Sequence, residues 1–183
     1  MKLYPSQNSY YGTAYSKGPN AAALTLDIGG WADWYYSFYQ FDLTNSLSSA
    51  QTELALLALY TTNVPALTPA PVVQRVTSAW DEATLTDLVN PTVVTDADVS
   101  PTVTWIRAIG WKYFDITTLY EQWKDATYDN YGVRVKATAN NNTATHMTSV
   151  YYTADTNLRP FLVLNPPTLT GISTMTGVET LTL

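Results

Sequence analysis

Residues 35 to 43 constrain this chain most. Tyr35, Ser37, Tyr39, Phe41 and Leu43 alternate with Tyr36, Phe38, Gln40 and Asp42, and a period of two marks a strand whose two faces meet different surroundings. Glu53 to Thr61 repeats the pattern, with Ala55, Leu57 and Leu59 on one face and Leu54, Leu56 and Ala58 on the other. Shorter runs at Ala22–Ile28, Val72–Val76, Ala83–Thr86, Val103–Arg107, Trp111–Phe114, Val133–Lys136, Ser149–Thr153 and Phe161–Leu164 are separated by Gly, Pro and Asn turn residues. Many short strands so spaced predict an all-β fold, an antiparallel jelly-roll-like β-sandwich. One helix interrupts it. Asp115 is a good N-cap, and Ile116, Leu119, Tyr120 and Trp123 follow the i, i+3, i+4, i+7 spacing of an amphipathic turn or two.

Composition narrows the role. Tyr (14) and Trp (6), with frequent Thr and Val, suit half-buried pleated surfaces. The net charge of −6 and the absence of any Lys/Arg run argue against nucleic acid as a partner. No apolar run approaches the roughly 18 residues that cross a bilayer, so membrane insertion is not expected. Cysteine is absent. Met1-Lys2-Leu3 leads into Tyr-Pro-Ser-Gln-Asn without a signal-peptide core, so with Met1 as the native start synthesis in the cytosol is the expectation.

The end of the chain has a different character. From Thr168 it reads TLTGIS, TMTGVE, TLTL, a hexapeptide unit in which Leu169, Ile172, Met175, Val178 and Leu181 recur every third position. So short a repeat buries its apolar row only against neighbours. It can add a strand to the parent sheet or wind about partner copies, and the intermolecular arrangement is favoured. The chain therefore divides into a sandwich at 1–165 and a repeat assembly tail at 166–183.

Four stretches carry a resemblance. They are Phe38-Tyr39-Gln40-Phe41-Asp42-Leu43, Trp80-Asp81-Glu82-Ala83-Thr84-Leu85-Thr86, Trp111-Lys112-Tyr113-Phe114-Asp115-Ile116-Thr117 running to Trp123, and Asp155-Thr156-Asn157-Leu158-Arg159-Pro160-Phe161-Leu162-Val163-Leu164. In this order and spacing the chain resembles the DNRLRE domain family, related to the disaggregatase-type carbohydrate-binding modules, over about residues 8 to 165. The resemblance implies a jelly-roll-like sandwich without catalytic machinery, attached to secreted or surface proteins and in some members binding polysaccharide. It also implies long charged residues on the outer face of the Glu53–Thr61 strand, where this chain has Leu54, Leu56 and Ala58.

Candidate chemistry is sparse. His146 is the single histidine, so neither a Cys-His pair nor a transition-metal cluster is available, and a surface or loop histidine is the plainer reading. Asp81-Glu82 is the one adjacent carboxylate pair, but strand neighbours point apart, and Glu82 reads as a brace for the Trp80 loop. Asp96 with Asp98, Asp125 with Asp129, and Asp155 with Asn157 offer oxygen ligands for a structural Ca²⁺, Asp155 and Asn157 foremost. Turn residues bonding their own backbone are the favoured explanation of them. Arg159 before Pro160 reads as an ion pair with Asp155 or a backbone brace. Trp31, Trp34, Tyr35 and Tyr36, with Tyr10, Tyr11 and Tyr15 nearby, are candidates to stack on sugar, to sit at a protein interface or to fill the core.

Two expectations result. The first is a non-enzymatic virion component of a bacterial virus (capsid decoration, fibre or tail), needing no cofactor. It assembles as a homo-oligomer, with a trimer among the options, or on other virion proteins, through Leu54, Leu56, Leu169, Ile172, Met175, Val178 and Leu181. The second is a polysaccharide-binding module of a secreted or cell-surface protein.

Overall fold

The computed structural model describes residues 1–31, 33–63, 70–94, 108–139 and 143–166. Ten strands lie among them: β1 (Lys2–Leu3), β2 (Pro5–Gly12), β3 (Thr25–Gly30), β4 (Tyr35–Phe41), β5 (Ala55–Thr61), β6 (Pro71–Arg75), β7 (Gly110–Asp115), β8 (Val133–Ala137), β9 (Thr143–Thr148) and β10 (Phe161–Leu164). Every pairing is antiparallel. The order is β1-β10-β5-β9-β3-β4-β8-β6, with β2 also on β4 and β7 also on β5.

Two junctions fold this network over on itself. β3 meets β4 only at Gly29–Tyr35, and β9 meets β5 only at Thr61–Met147. Such single-pair contacts let strands pass from one layer to the other. Gly29 takes φ +94°, and a Cβ there would lie 2.3 Å from the Thr143 carbonyl oxygen, so this corner requires glycine. The result is an antiparallel β-sandwich. Tyr39 and Phe41 of β4, Val133 and Val135 of β8 and Val73 of β6 pack in one core with Ala55, Leu57 and Leu59 of β5, Phe114 of β7, and Leu162 and Leu164 of β10.

Helix α1 (Thr117–Lys124) adds Leu119, Tyr120 and Trp123 to that core, next to Ile116, as its spacing predicts. The N-cap position falls on Ile116, one residue beyond the expected Asp115, whose carboxylate still accepts from the Thr117 amide at 2.9 Å and the Thr117 hydroxyl at 2.6 Å, satisfying a donor at the helix start. Lys124 in the last turn donates to the Leu43 carbonyl at 2.9 Å. None of the described helices is long and apolar enough to cross a membrane.

β4 is covered on its other face as well. Phe38 forms a second core with Tyr11, Val76 and Leu85, joined by Tyr36, Trp80, Val93 and Tyr131. The segment 76–94 thus lies over the outer face. Trp80 stacks obliquely on Phe38 with centroids 5.6 Å apart, and its Nε1 donates to the Tyr131 carbonyl at 2.9 Å.

Several sequence expectations need correction. Ala83–Thr86 is a turn and not a strand: Asp81 accepts from the Ala83 amide at 2.7 Å, and its carbonyl takes the Thr84 and Leu85 amides. The strand expected at Ser149–Thr153 runs instead over Thr143–Thr148, and Tyr152 N–H closes a turn on the Ser149 carbonyl at 3.1 Å. β2 lay hidden in a polar segment. Asn8 and Ser9 are fully buried there, so no apolar alternation announces it. The Val103–Arg107 strand, the Asp96 and Asp98 ligands, and the tail residues Leu169, Ile172, Met175, Val178 and Leu181 fall outside the described residues.

Tyr39 is fully buried, and its hydroxyl has no hydrogen-bond partner among the described residues. Burial pushes its phenol well above the ordinary range, with the Asp27 charge adding to the effect. An unpaired buried hydroxyl costs about 1–3 kcal/mol. Tyr39→Phe is therefore expected to leave stability unchanged or raise it by about 1 kcal/mol, whereas Tyr39→Ala should cost roughly 3–5 kcal/mol. Urea denaturation of the two variants checks this, and a large loss for Tyr39→Phe would contradict the unpaired hydroxyl.

Candidate functional site

The most constructed surface lies where β2 ends, β3 ends and β4 begins. Two connections meet there, and one buried carboxylate holds them. Asp33 is only 3% exposed. Its Oδ2 accepts from the Tyr15 amide at 3.0 Å and the Ala14 amide at 3.4 Å, and its Oδ1 accepts from the Trp31 amide at 3.3 Å. Thr13 and Trp34 tie the same connections together: Thr13 N–H donates to the Trp34 carbonyl at 2.9 Å, and the Trp34 amide donates to Thr13 Oγ1 at 3.0 Å. At Gly30 (φ +145°) a Cβ would lie 2.0 Å from the Asp33 carbonyl oxygen. Only glycine lets the backbone close so tightly.

This frame fixes backbone and leaves rings outside. Tyr15 is 63% exposed and Trp31 is 59% exposed, with Trp34 half-buried beside them. Their amides converge on one carboxylate, so the two exposed rings start from adjacent backbone points. Large apolar groups held in water on a rigid frame mark a contact surface, and a preformed frame reduces the ordering cost of binding.

The four aromatics singled out in the sequence do not act together. Trp31 and Trp34 belong to this end. Tyr35 is buried, set edge-on against Tyr10 with centroids 6.3 Å apart, and burial, with Asp33 second, raises its phenol pKa. Tyr36 faces the other side of β4, where the Arg134 guanidinium lies 4.7 Å from its ring centroid and Tyr11 packs at 5.3 Å. Their adjacency in sequence put them on opposite faces. Tyr15 takes their place. Its partnership with Trp31 runs through Asp33, a residue that local pattern did not single out.

Deeper along β3, Asp27 pairs across the sheet with His146 of β9. His146 Nδ1 and Asp27 Oδ1 are 2.6 Å apart, with the imidazole 41% exposed. The His146 amide donates to Asn63 Oδ1 at 2.6 Å. The expected surface or loop histidine is therefore a partly exposed strand residue in an ion pair. The hydrogen bond to Asp27 raises its pKa from 6.5, opposed by partial burial.

The remaining candidates are engaged in local hydrogen bonds. Glu82 accepts from the Asn8 amide at 3.0 Å and from the Tyr151 hydroxyl, while Asp81 caps its own turn. The pair points apart, and Glu82 braces the Trp80 segment against β2. Asp155 accepts from the Asn157 amide at 2.9 Å, capping a 3-10 turn at Thr156–Leu158, and Asp125 accepts from the Ser49 hydroxyl. No group of three or more His, Asp or Glu side chains converges among the described residues. Arg159 braces backbone, its Nε donating to the Tyr152 carbonyl at 2.9 Å.

No protein-family model and no curated protein matches the chain, so the DNRLRE resemblance rests on its four stretches.

Two outcomes test the site's physics. Asp33→Ala should lower the unfolding free energy by about 2–3 kcal/mol, since bonds to a buried charge are lost, and should speed amide exchange at Tyr15 and Trp31. Unchanged exchange would rule out the clamp. His146 is raised in the folded state, so its contribution is full below about 6.5, its unfolded value, and is lost as pH rises through the folded value. Stability should fall over that window, and His146→Gln should flatten the fall in denaturant titrations at pH 6 to 8.

Proposed function

We propose that this chain is a non-enzymatic attachment module whose aromatic end stacks on the sugar rings of a polysaccharide. The observation that carries this reading is the Asp33 clamp, which presents Tyr15 and Trp31 to solvent on fixed backbone. A pyranose ring offers an apolar C–H face to such rings and hydroxyls to their polar ends, the Tyr hydroxyl and the indole N–H. Each of the described carboxylates discussed above has a bracing, capping or pairing role, which suits adhesion better than hydrolysis. The DNRLRE resemblance, where some members bind polysaccharide, supports the same class.

The test is affinity electrophoresis against a panel of neutral and acidic polysaccharides. A retarding polymer is expected, with Trp31→Ala weakening retention about tenfold, or ~1.4 kcal/mol. Trp111→Ala, on a different face, should leave retention intact. Failure of every polymer to retard the folded protein would end this reading.

One observation favours the virion-assembly reading as a second. The outer face of β5 carries Leu56 beside Ala58, with Tyr60, Trp111, Tyr113, Phe161 and Val163 around them. Trp111 packs on Phe161 at 4.9 Å and on Tyr60 at 5.4 Å, and Lys2 lies 4.4 Å over the Phe161 ring. Leu54, Leu56, Trp111 and Tyr113 remain half-buried, an apolar face suited to another subunit. On this reading the chain is a virion component, and Leu56→Asp or removal of Thr168–Leu183 turns an oligomer into a monomer in light scattering. A wild-type protein that is already monomeric would overturn it.

A further inference from the structure

Away from the aromatic end, where β2 begins, the surface holds a cleft of about 230 Å³ lined by Tyr4, Pro5, Val150, Thr156, Asn157 and Arg159. β2 spans eight residues, so the cleft lies roughly 20 Å from Trp31 at strand rise. Two turns build its floor. Arg159 closes the 3-10 turn at Thr156–Leu158 and leads into β10 through Pro160. The Thr148 hydroxyl holds that turn through the Leu158 carbonyl, and Tyr152, in the neighbouring turn, accepts from Arg159 Nε.

The charge in this cleft is the informative part. Arg159 spends Nε on a neutral carbonyl, and its terminal nitrogens have no hydrogen-bond or ion-pair partner among the described residues. The ion pair with Asp155 that the sequence allowed is not formed: the Asp155 carboxylate is turned onto the Asn157 amide. A fixed guanidinium with free terminal donors matches a planar carboxylate, which it binds through two parallel hydrogen bonds. Beside it stand an amide and a hydroxyl, from Asn157 and Thr156, and the Tyr4 ring, 56% exposed. Those are the groups a sugar ring requires, and the volume admits a single ring.

We propose that this cleft binds a uronic-acid residue, with its carboxylate on Arg159, its hydroxyls toward Thr156 and Asn157 and its ring face on Tyr4. The same residues argue against the Ca²⁺ expected at Asp155 and Asn157, because the cationic Arg159 lines the cleft beside Asn157 and the Asp155 carboxylate is taken by the Asn157 amide. The inference is independent of the aromatic end, whose loss through Trp31→Ala should leave this site working.

The experiment is an amide chemical-shift titration of the whole chain with methyl galacturonoside, methyl galactoside and acetate. The uronoside should saturate in the low-millimolar range and move Asn157 and Arg159, with galactoside and acetate each about tenfold weaker. Tyr4→Ala, at an exposed position, should keep the fold and weaken the uronoside about fivefold. Arg159→Lys, which keeps the charge and loses the fork, should weaken it about tenfold. Galactoside binding as well as the uronoside, acetate binding as well as the uronoside, indifference to Tyr4→Ala, or no shift with any of the three would each overturn the proposal.

Discussion

Burial of β4 on both faces is the constraint on which the rest of the molecule depends. Tyr39 and Phe41 enter the main core, while Phe38 and Tyr36 enter the smaller one beneath the 76–94 segment. A strand can be buried twice only if two layers are built against it. The β5 half of the sandwich supplies one, and the Trp80 segment supplies the other. Directed hydrogen bonds hold that segment: Trp80 Nε1 donates to the Tyr131 carbonyl, Glu82 accepts from the Asn8 amide and the Tyr151 hydroxyl, and the Glu82 amide donates to Gln7 Oε1. Polar groups thus fix where an apolar lid sits, which burial alone, being non-directional, cannot do.

The same division of labour shapes the aromatic end. Rings provide the contact area, but a charge decides where they stand. A buried carboxylate is costly unless its lone pairs are met, and Asp33 meets them with backbone amides from two separate connections. The frame is therefore stable only when both connections are in place together. That coupling is what turns two otherwise ordinary surface loops into one surface.

Much of this was legible in the residues. Alternation at 35–43 and 53–61 marks strands β4 and β5, and the spacing of Ile116, Leu119, Tyr120 and Trp123 marks the helix. What escaped shares one cause: the information was not local. β2 buries Asn8 and Ser9, so its polarity disguised it. The Ala83–Thr86 run has the β-rich composition of a strand, but the Asp81 cap wins by satisfying three amides in one turn. Trp31 and Trp34 were recognisable as binding candidates, while Tyr15 was not separable from its neighbours. Its role depends on Asp33, eighteen positions away. The Glu82 and Arg159 braces were anticipated in kind, though their partners were visible only in three dimensions.

Two of the sheet's margins carry a last consequence. β1, at one end of the strand order, pairs through only two residues, and β6, at the other end, opens with Pro71, which lacks an N–H to donate. Neither margin offers a long ladder of free amides to an incoming chain. Growth by adding strand to strand, the route to amyloid-like fibrils, is disfavoured at both. Copies of the chain can then crowd together in solution without zipping up along those two margins.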